Sequence, residues 1–316
     1  MERKIEIIIN NSEITAGTRG ASLGPQAIFT AARKFKNSFF SRYKLHTIET
    51  QNHALDHSFT ENSSAKYIKP YAKVFHQIAS QTAQVLTEGN FPFILAGDHG
   101  SAAGTIAGIK KAFPNKELGV IWIDAHADIH SPYTTPSGNM HGMPLNLCIG
   151  DDNTENQVNS PDSETIGIWN ELKHAYTNQP KIKPENLVFI GVRDTEEQEN
   201  KLIEKHHITI HTVEAVRKDG AKAIAEKSLE QLQSCDIIYV SFDVDSMDPE
   251  LTSLGTGTPV GNGIFPQEAE EILTLLAKNE KTCCMEVVEV NPCLDNKQNF
   301  MAETAFSLIE KTVTNL

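Results

Sequence analysis

The chain has 316 residues, with 28 Lys and Arg against 41 Asp and Glu, a formal net charge of −13 at pH 7 and a sequence pI near 5.4. That balance argues against nucleic acid or an anionic membrane as a partner, since both select for basic surfaces. Five cysteines (Cys148, Cys235, Cys283, Cys284 and Cys293) form no Cys-x-x-Cys pair and read as free thiols of a reducing compartment, with the cytoplasm expected.

Read in order, the chain alternates strand-like and helix-like segments. It opens on a charged segment and three isoleucines, too short for a signal segment. Residues 5–9 read as a strand, 10–24 as a Gly/Ser/Thr loop, and 25–36 as a helix with a proline suited to its first turn. A weak strand at 45–48 and a polar loop at 53–64 precede a long helix at 66–88, where Tyr71, Val74, Ile78 and Val85 recur at helical spacing. The strand 91–96 runs into Gly97-Asp98-His99-Gly100, and a helix of small residues follows at 101–112. After the strand 118–123 comes a Ser/Thr/Pro/Gly loop at 131–142, then helical or irregular sequence to 179 with an acidic, Asn-rich loop at 151–162. Strands at 187–191 and 208–211 alternate with helices at 195–206 and 220–233. The strand 237–242, a Gly-rich loop to 263, a helix at 266–278, a strand at 284–290 and a helix at 300–314 complete the chain. About eight strands separated by helices predict a single α/β domain over 1–316, a mostly parallel sheet with helices on both faces. No run of ~18 apolar residues occurs, so no membrane span is expected.

Two stretches carry the chemistry. Asp124, His126 and Asp128 occupy alternate positions behind the apolar run 118–123. If the pleat continues through them, the three side chains share one face at the strand's carboxyl end, within roughly 7 Å along the chain. Asp243 and Asp245 repeat the spacing behind the apolar run 237–240, while Asp248, ahead of Pro249, reads as a turn or capping acid. Burying so many ionised groups costs too much unless cations neutralise them. Four carboxylates and one His exceed the need of one divalent ion and fit two ions that share carboxylates. Asp98-His99 and Glu289 follow two further strands, and ligands of open parallel sheets collect at carboxyl ends. Oxygen-rich ligation with two imidazoles suits Mn²⁺, leaves Mg²⁺, Co²⁺ and Fe²⁺ open, and argues against a structural Zn²⁺.

With Gly97-Asp98-His99-Gly100, Asp124-Ala125-His126-Ala127-Asp128, the stretch from Ser241 to Pro249, and Glu289-Val290-Asn291-Pro292 in place, the chain resembles the ureohydrolases, the arginases most closely, over nearly its whole length. The resemblance implies a three-layer αβα fold and two Mn²⁺ per subunit. It assigns His99, Asp124, Asp128 and Asp243 to one ion and Asp124, His126, Asp243 and Asp245 to the other. It implies hydrolysis of the guanidinium group of L-arginine to L-ornithine and urea by a hydroxide shared between the ions. His141 is the expected proton donor, and Glu289 and Thr258 the expected guanidinium contacts. Ser137 and Asn139 would bind the α-carboxylate, and Glu196 and Glu199 the α-amino group. Acids in a helix's first turn also have a purely structural use against the helix dipole. His130 stands where arginases usually carry Asn, and Glu196 where they usually carry Asp. Agmatinase and formimidoylglutamase are the neighbouring activities. A non-catalytic member of the fold would have lost ligands, and a deacetylase would not need the second set of acids. A homotrimer or homohexamer is also implied.

Overall fold

Strands that are apolar on both faces form a stable sheet only when helices cover both sides. The computed structural model describes residues 4–56 and 62–316; part of the polar loop expected at 53–64, and the first three residues, lie outside them. Along the chain come β1 (Ile5–Asn10), α1 (Gly24–Lys34), β2 (Lys44–Thr47), α2 (Ile68–Thr87), β3 (Phe91–Ala96), α3 (Ser101–Ala112) and β4 (Leu118–Ile123). Then follow α4 (Pro144–Ile149), α5 (Ser163–His174), β5 (Leu187–Ile190), α6 (Glu197–His206), β6 (Thr209–His211), α7 (Val213–Asp219) and α8 (Ala221–Gln231). The last elements are β7 (Ile237–Asp243), α9 (Pro266–Lys278), β8 (Thr282–Val288) and α10 (Phe300–Val313). The strands form one sheet in the order β2-β1-β3-β8-β7-β4-β5-β6. Every pairing in it is parallel.

The pleat divides the core in two. Ile121 and Ile123 of β4 point into one layer with Phe93, Leu95, Val240 and Phe242, under α1, α8, α9 and α10. Leu118, Val120 and Trp122 point into the other, under α2 to α6. Trp122 is fully buried, so its loss to Ala should cost about 3–5 kcal/mol. Pro92 is tolerated inside β3 because pairing with β8 begins only at Phe93, past the residue that has no N–H. No helix among the described residues is long and apolar enough to cross a membrane.

Strand order positions the site. β3, β8, β7 and β4 are consecutive neighbours, although β3 and β8 lie far apart in sequence. The expected polar clusters follow these four strands, so the topology gathers them along one edge, where open parallel sheets bind ligands.

The helix α7 is absent from the sequence reading. Its cue is Thr212, whose side chain accepts from Ala215 N, ahead of buried Val213 and Val216. The acidic loop at 151–162 ties helices together. Asp151 meets Lys205 and His206 of α6, and Asp152 holds Trp169 and Lys173 of α5.

Candidate active site

One expectation about local geometry is corrected. β4 ends at Ile123, and Asp124, His126 and Asp128 do not continue its pleat. The chain turns instead: Asp124 Oδ1 accepts from His126 N at 2.7 Å, Ala125 N donates to Asp245 Oδ1 at 3.2 Å, and Asp128 adopts a left-handed backbone at φ 50°. β7 ends the same way, with Asp243 Oδ1 accepting from Asp245 N at 2.8 Å across the turn Val244–Ser246. The alternate spacing therefore works through carboxylates that cap their own turns. After β3, Gly97 admits no side chain, because an added Cβ would lie 2.3 Å from Ser12 O. That close approach seats the following Asp98, whose Oδ2 accepts from Thr15 N at 3.0 Å. Burial, together with the Glu289 carboxylate, pushes the Asp98 pKa up to about 7.

His99 stands at the centre. Its Nδ1 is 3.0 Å from Asp124 Oδ2 and 3.2 Å from both Asp128 Oδ2 and Asp243 Oδ2. Its Nε2 meets Ser241 Oγ at 2.7 Å, and its ring stacks on Trp122 at 3.9 Å between centroids. A second group lies alongside, with His126 Nδ1 3.1 Å from Asp245 Oδ2 and 3.5 Å from Asp124 Oδ1. Asp124 contributes to both groups, one oxygen to each. Asp243, also expected to be shared, faces His99 with Oδ2 and caps its own turn with Oδ1. Thr258 Oγ1 donates to Asp245 Oδ2 at 3.1 Å, so it supports a metal-competent acid.

Electrostatics sets this edge apart. Burial, then the neighbouring Asp245 and Asp124, raises Asp243 well above the usual carboxylate range, and burial with Asp124 raises Asp128. Burial works against ionising Asp124 too, but the adjacent His126 and His99 rings hold it below its usual value. Both imidazoles are driven up by the acids, which outweigh burial. Even so, His99 Nδ1 and Asp124 Oδ2 are buried and make no hydrogen bond of proper geometry. Hard oxygens, imidazole nitrogens and two unmatched buried atoms make a donor set that could hold divalent cations. His99, Asp124 and Asp128 form one such group and Asp124, His126 and Asp245 a second, with ligand atoms within 4.8 Å of one another in each.

A cavity of about 280 Å³ opens above these groups. His141 lines it, with Nδ1 3.5 Å from Glu289 Oε1. Burial would lower the His141 pKa, but Glu289, Asp128 and Asp98 reverse this and leave it raised. Glu289 has φ 66°, and its Oε1 also accepts from the His99 backbone N–H at 2.8 Å, so one carboxylate on strained backbone joins the His141 ring to the main chain at His99. Ser137 and Asn139 form the cavity's outer wall with Thr135. His130 lies opposite, its Nδ1 3.1 Å from Thr134 Oγ1 and its Nε2 3.1 Å from Glu196 Oε2. Glu196 and Glu199 make a reciprocal capping box at the start of α6. The His130 hydrogen bond leads in holding Glu196 down, at about 2, while burial raises Glu199 well above the usual range.

Sequence reasoning gave no role to Arg193. Its guanidinium donates to five carbonyls, those of Gly191, Ser246, Asp245, Val260 and Gly261, and so locks the turn after β7 onto the Thr258 loop. An arginine straight after a strand carries no sign of that duty.

A doubly covered parallel sheet whose carboxyl edge gathers paired His/Asp groups beneath a polar cavity defines a hydrolase of the ureohydrolase class. The family described as Arginase family matches residues 4–314, and the chain belongs to it. It is 35% identical to the arginase of Brevibacillus brevis over 98% of this chain and 97% of that one. It is 33% identical to the arginase of Bacillus subtilis strain 168, again over 98% and 97%. The crystal structure of the Bacillus caldovelox arginase superposes with a TM-score of 0.81 at 31% identity, covering 98% of both chains.

Proposed function

We propose that this ureohydrolase cleaves L-arginine to L-ornithine and urea with two Mn²⁺ ions. The carrying observation is the pair of unmatched buried atoms, His99 Nδ1 and Asp124 Oδ2, in a ring of acids that cannot satisfy one another. His99, Asp128 and Asp243 would hold one ion and His126 and Asp245 the other, with Asp124 between them. Bound there, such ions would supply Lewis acidity that lowers the pKa of a water in the site.

The protein's own residues do the rest. Glu289 faces the His141 ring at Nδ1 and, with Asp128 and Asp98, raises its pKa against the effect of burial. That leaves Nε2 to protonate the departing amine as the C–N bond breaks, so that ornithine leaves neutral at that nitrogen. Glu289, held by His99 N, presents its remaining acceptor capacity to the guanidinium. Glu196 and Glu199 meet the α-amino group, with Glu196 oriented by His130, and Ser137 and Asn139 meet the α-carboxylate. The arginase relatives support arginine as the substrate. A panel of L-arginine, agmatine, guanidinobutyrate and formimidoylglutamate, assayed for urea or formamide with Mn²⁺-loaded protein, tests the reading. Urea from L-arginine is expected. Turnover of agmatine or formimidoylglutamate without turnover of L-arginine would overturn it.

A further inference from the structure

Resting on arginine as substrate, a charge problem remains at the outer end of the cavity. Among the described residues, the lining is acids, imidazoles and neutral groups, with no lysine or arginine. The inner acids are the ones assigned to the ions, but Asp194, Glu196 and Glu199 at the outer end are not, and they repel an entering α-carboxylate unless a cation stands close. One does. The Lys66 ammonium donates to Asn139 Oδ1 at 3.4 Å, from an exposed side chain that pairs with no carboxylate among the described residues.

Its placement is built, not incidental. Lys66 N donates to Gly138 O at 2.8 Å. Gly138 has φ 75°, and an added Cβ would lie 1.9 Å from Ser63 O, so the segment 63–66 packs flat on the 137–139 loop. Asn62 Nδ2 anchors the start of that segment to Thr165 Oγ1 of α5 at 2.8 Å. Asn139, the residue that Lys66 touches, lines the cavity.

We infer that Lys66 meets the α-carboxylate of the substrate at the cavity mouth and so favours amino-acid guanidines over their decarboxylated counterparts. Lys66 acts in binding and touches no reacting atom. Its signature is therefore a change in KM with kcat preserved.

The test uses Mn²⁺-loaded full-length protein carrying Lys66→Ala, Lys66→Arg or Lys66→Glu. Two competitive probes are compared: L-ornithine, and putrescine, which is ornithine without its carboxylate. Lys66→Ala should raise KM for L-arginine and Ki for L-ornithine about fivefold at low salt, the upper end for an exposed ion pair. Putrescine binding should be unchanged, Lys66→Arg should restore both constants, and Lys66→Glu should exceed Lys66→Ala. Added salt should shrink the difference. Equal weakening of ornithine and putrescine, or no change in either, would overturn the inference while leaving arginine turnover by the unmutated enzyme intact. No urea from L-arginine with that enzyme would instead remove the substrate reading and this inference together.

Discussion

The inner and outer ends of the cavity are made from the same residue types but are balanced differently. At the inner end, His99 and His126 face Asp124, Asp128, Asp243 and Asp245, and two buried atoms stay unmatched. At the outer end, His130, Glu196 and Glu199 satisfy one another. His130 bonds Thr134 and Glu196, Glu199 Oε1 accepts from Ile129 N at 3.2 Å, and its Oε2 accepts from Glu196 N at 3.1 Å. These three could also hold a metal by spacing alone. Closed hydrogen bonding and a helix N-terminus, which disfavours cations, separate them from the inner groups. Spacing identifies three candidates, and unmatched buried atoms distinguish the inner groups, which could hold a cation, from the self-satisfied outer one.

Breaking the inner end should have the largest effect. Asp128→Ala should lower kcat/KM by more than about 10³-fold and cost one bound metal, with an unchanged circular dichroism spectrum. His141→Asn should come next, lowering kcat by about 10²–10⁴-fold while both metals stay bound. Retained kcat in either variant would refute the role given to that residue. At the outer end, Glu196→Gln should raise KM for L-arginine about tenfold with kcat nearly unchanged, since it removes one charge-assisted contact; a fall in kcat alone would assign Glu196 to the chemistry. The pH dependence of metal binding is a separate test. In metal-free protein the acids raise the pKa of His99 and His126, which favours ring protons that a cation would have to displace. Mn²⁺ affinity, followed by calorimetry, should therefore rise with pH by about tenfold per unit for each proton displaced. An affinity independent of pH would contradict that protonation.

The sheet was legible because its strands are short apolar runs, and the helices at 101–112 and 266–278 matched α3 and α9 at both ends. The clusters were legible because buried acids at strand ends are costly enough to be rare. What stayed hidden depended on local hydrogen bonding. Spacing of two suggested a continued pleat, whereas Asp124 and Asp243 cap turns, and Asp128 needs a left-handed backbone that periodicity does not show. The short α7 was missed because a single Thr212 cap and two valines give a weak pattern. Arg193 and Lys66 act on backbone carbonyls or a distant loop, contacts that exist only once the chain has folded.

Counting metal in Mn²⁺-loaded, desalted protein tests the central claim most directly. Two ions per chain are predicted for the unmutated protein and one for Asp128→Ala. Arginine hydrolysis by protein stripped to trace metal, or an unaltered ion count after Asp128→Ala, would contradict it.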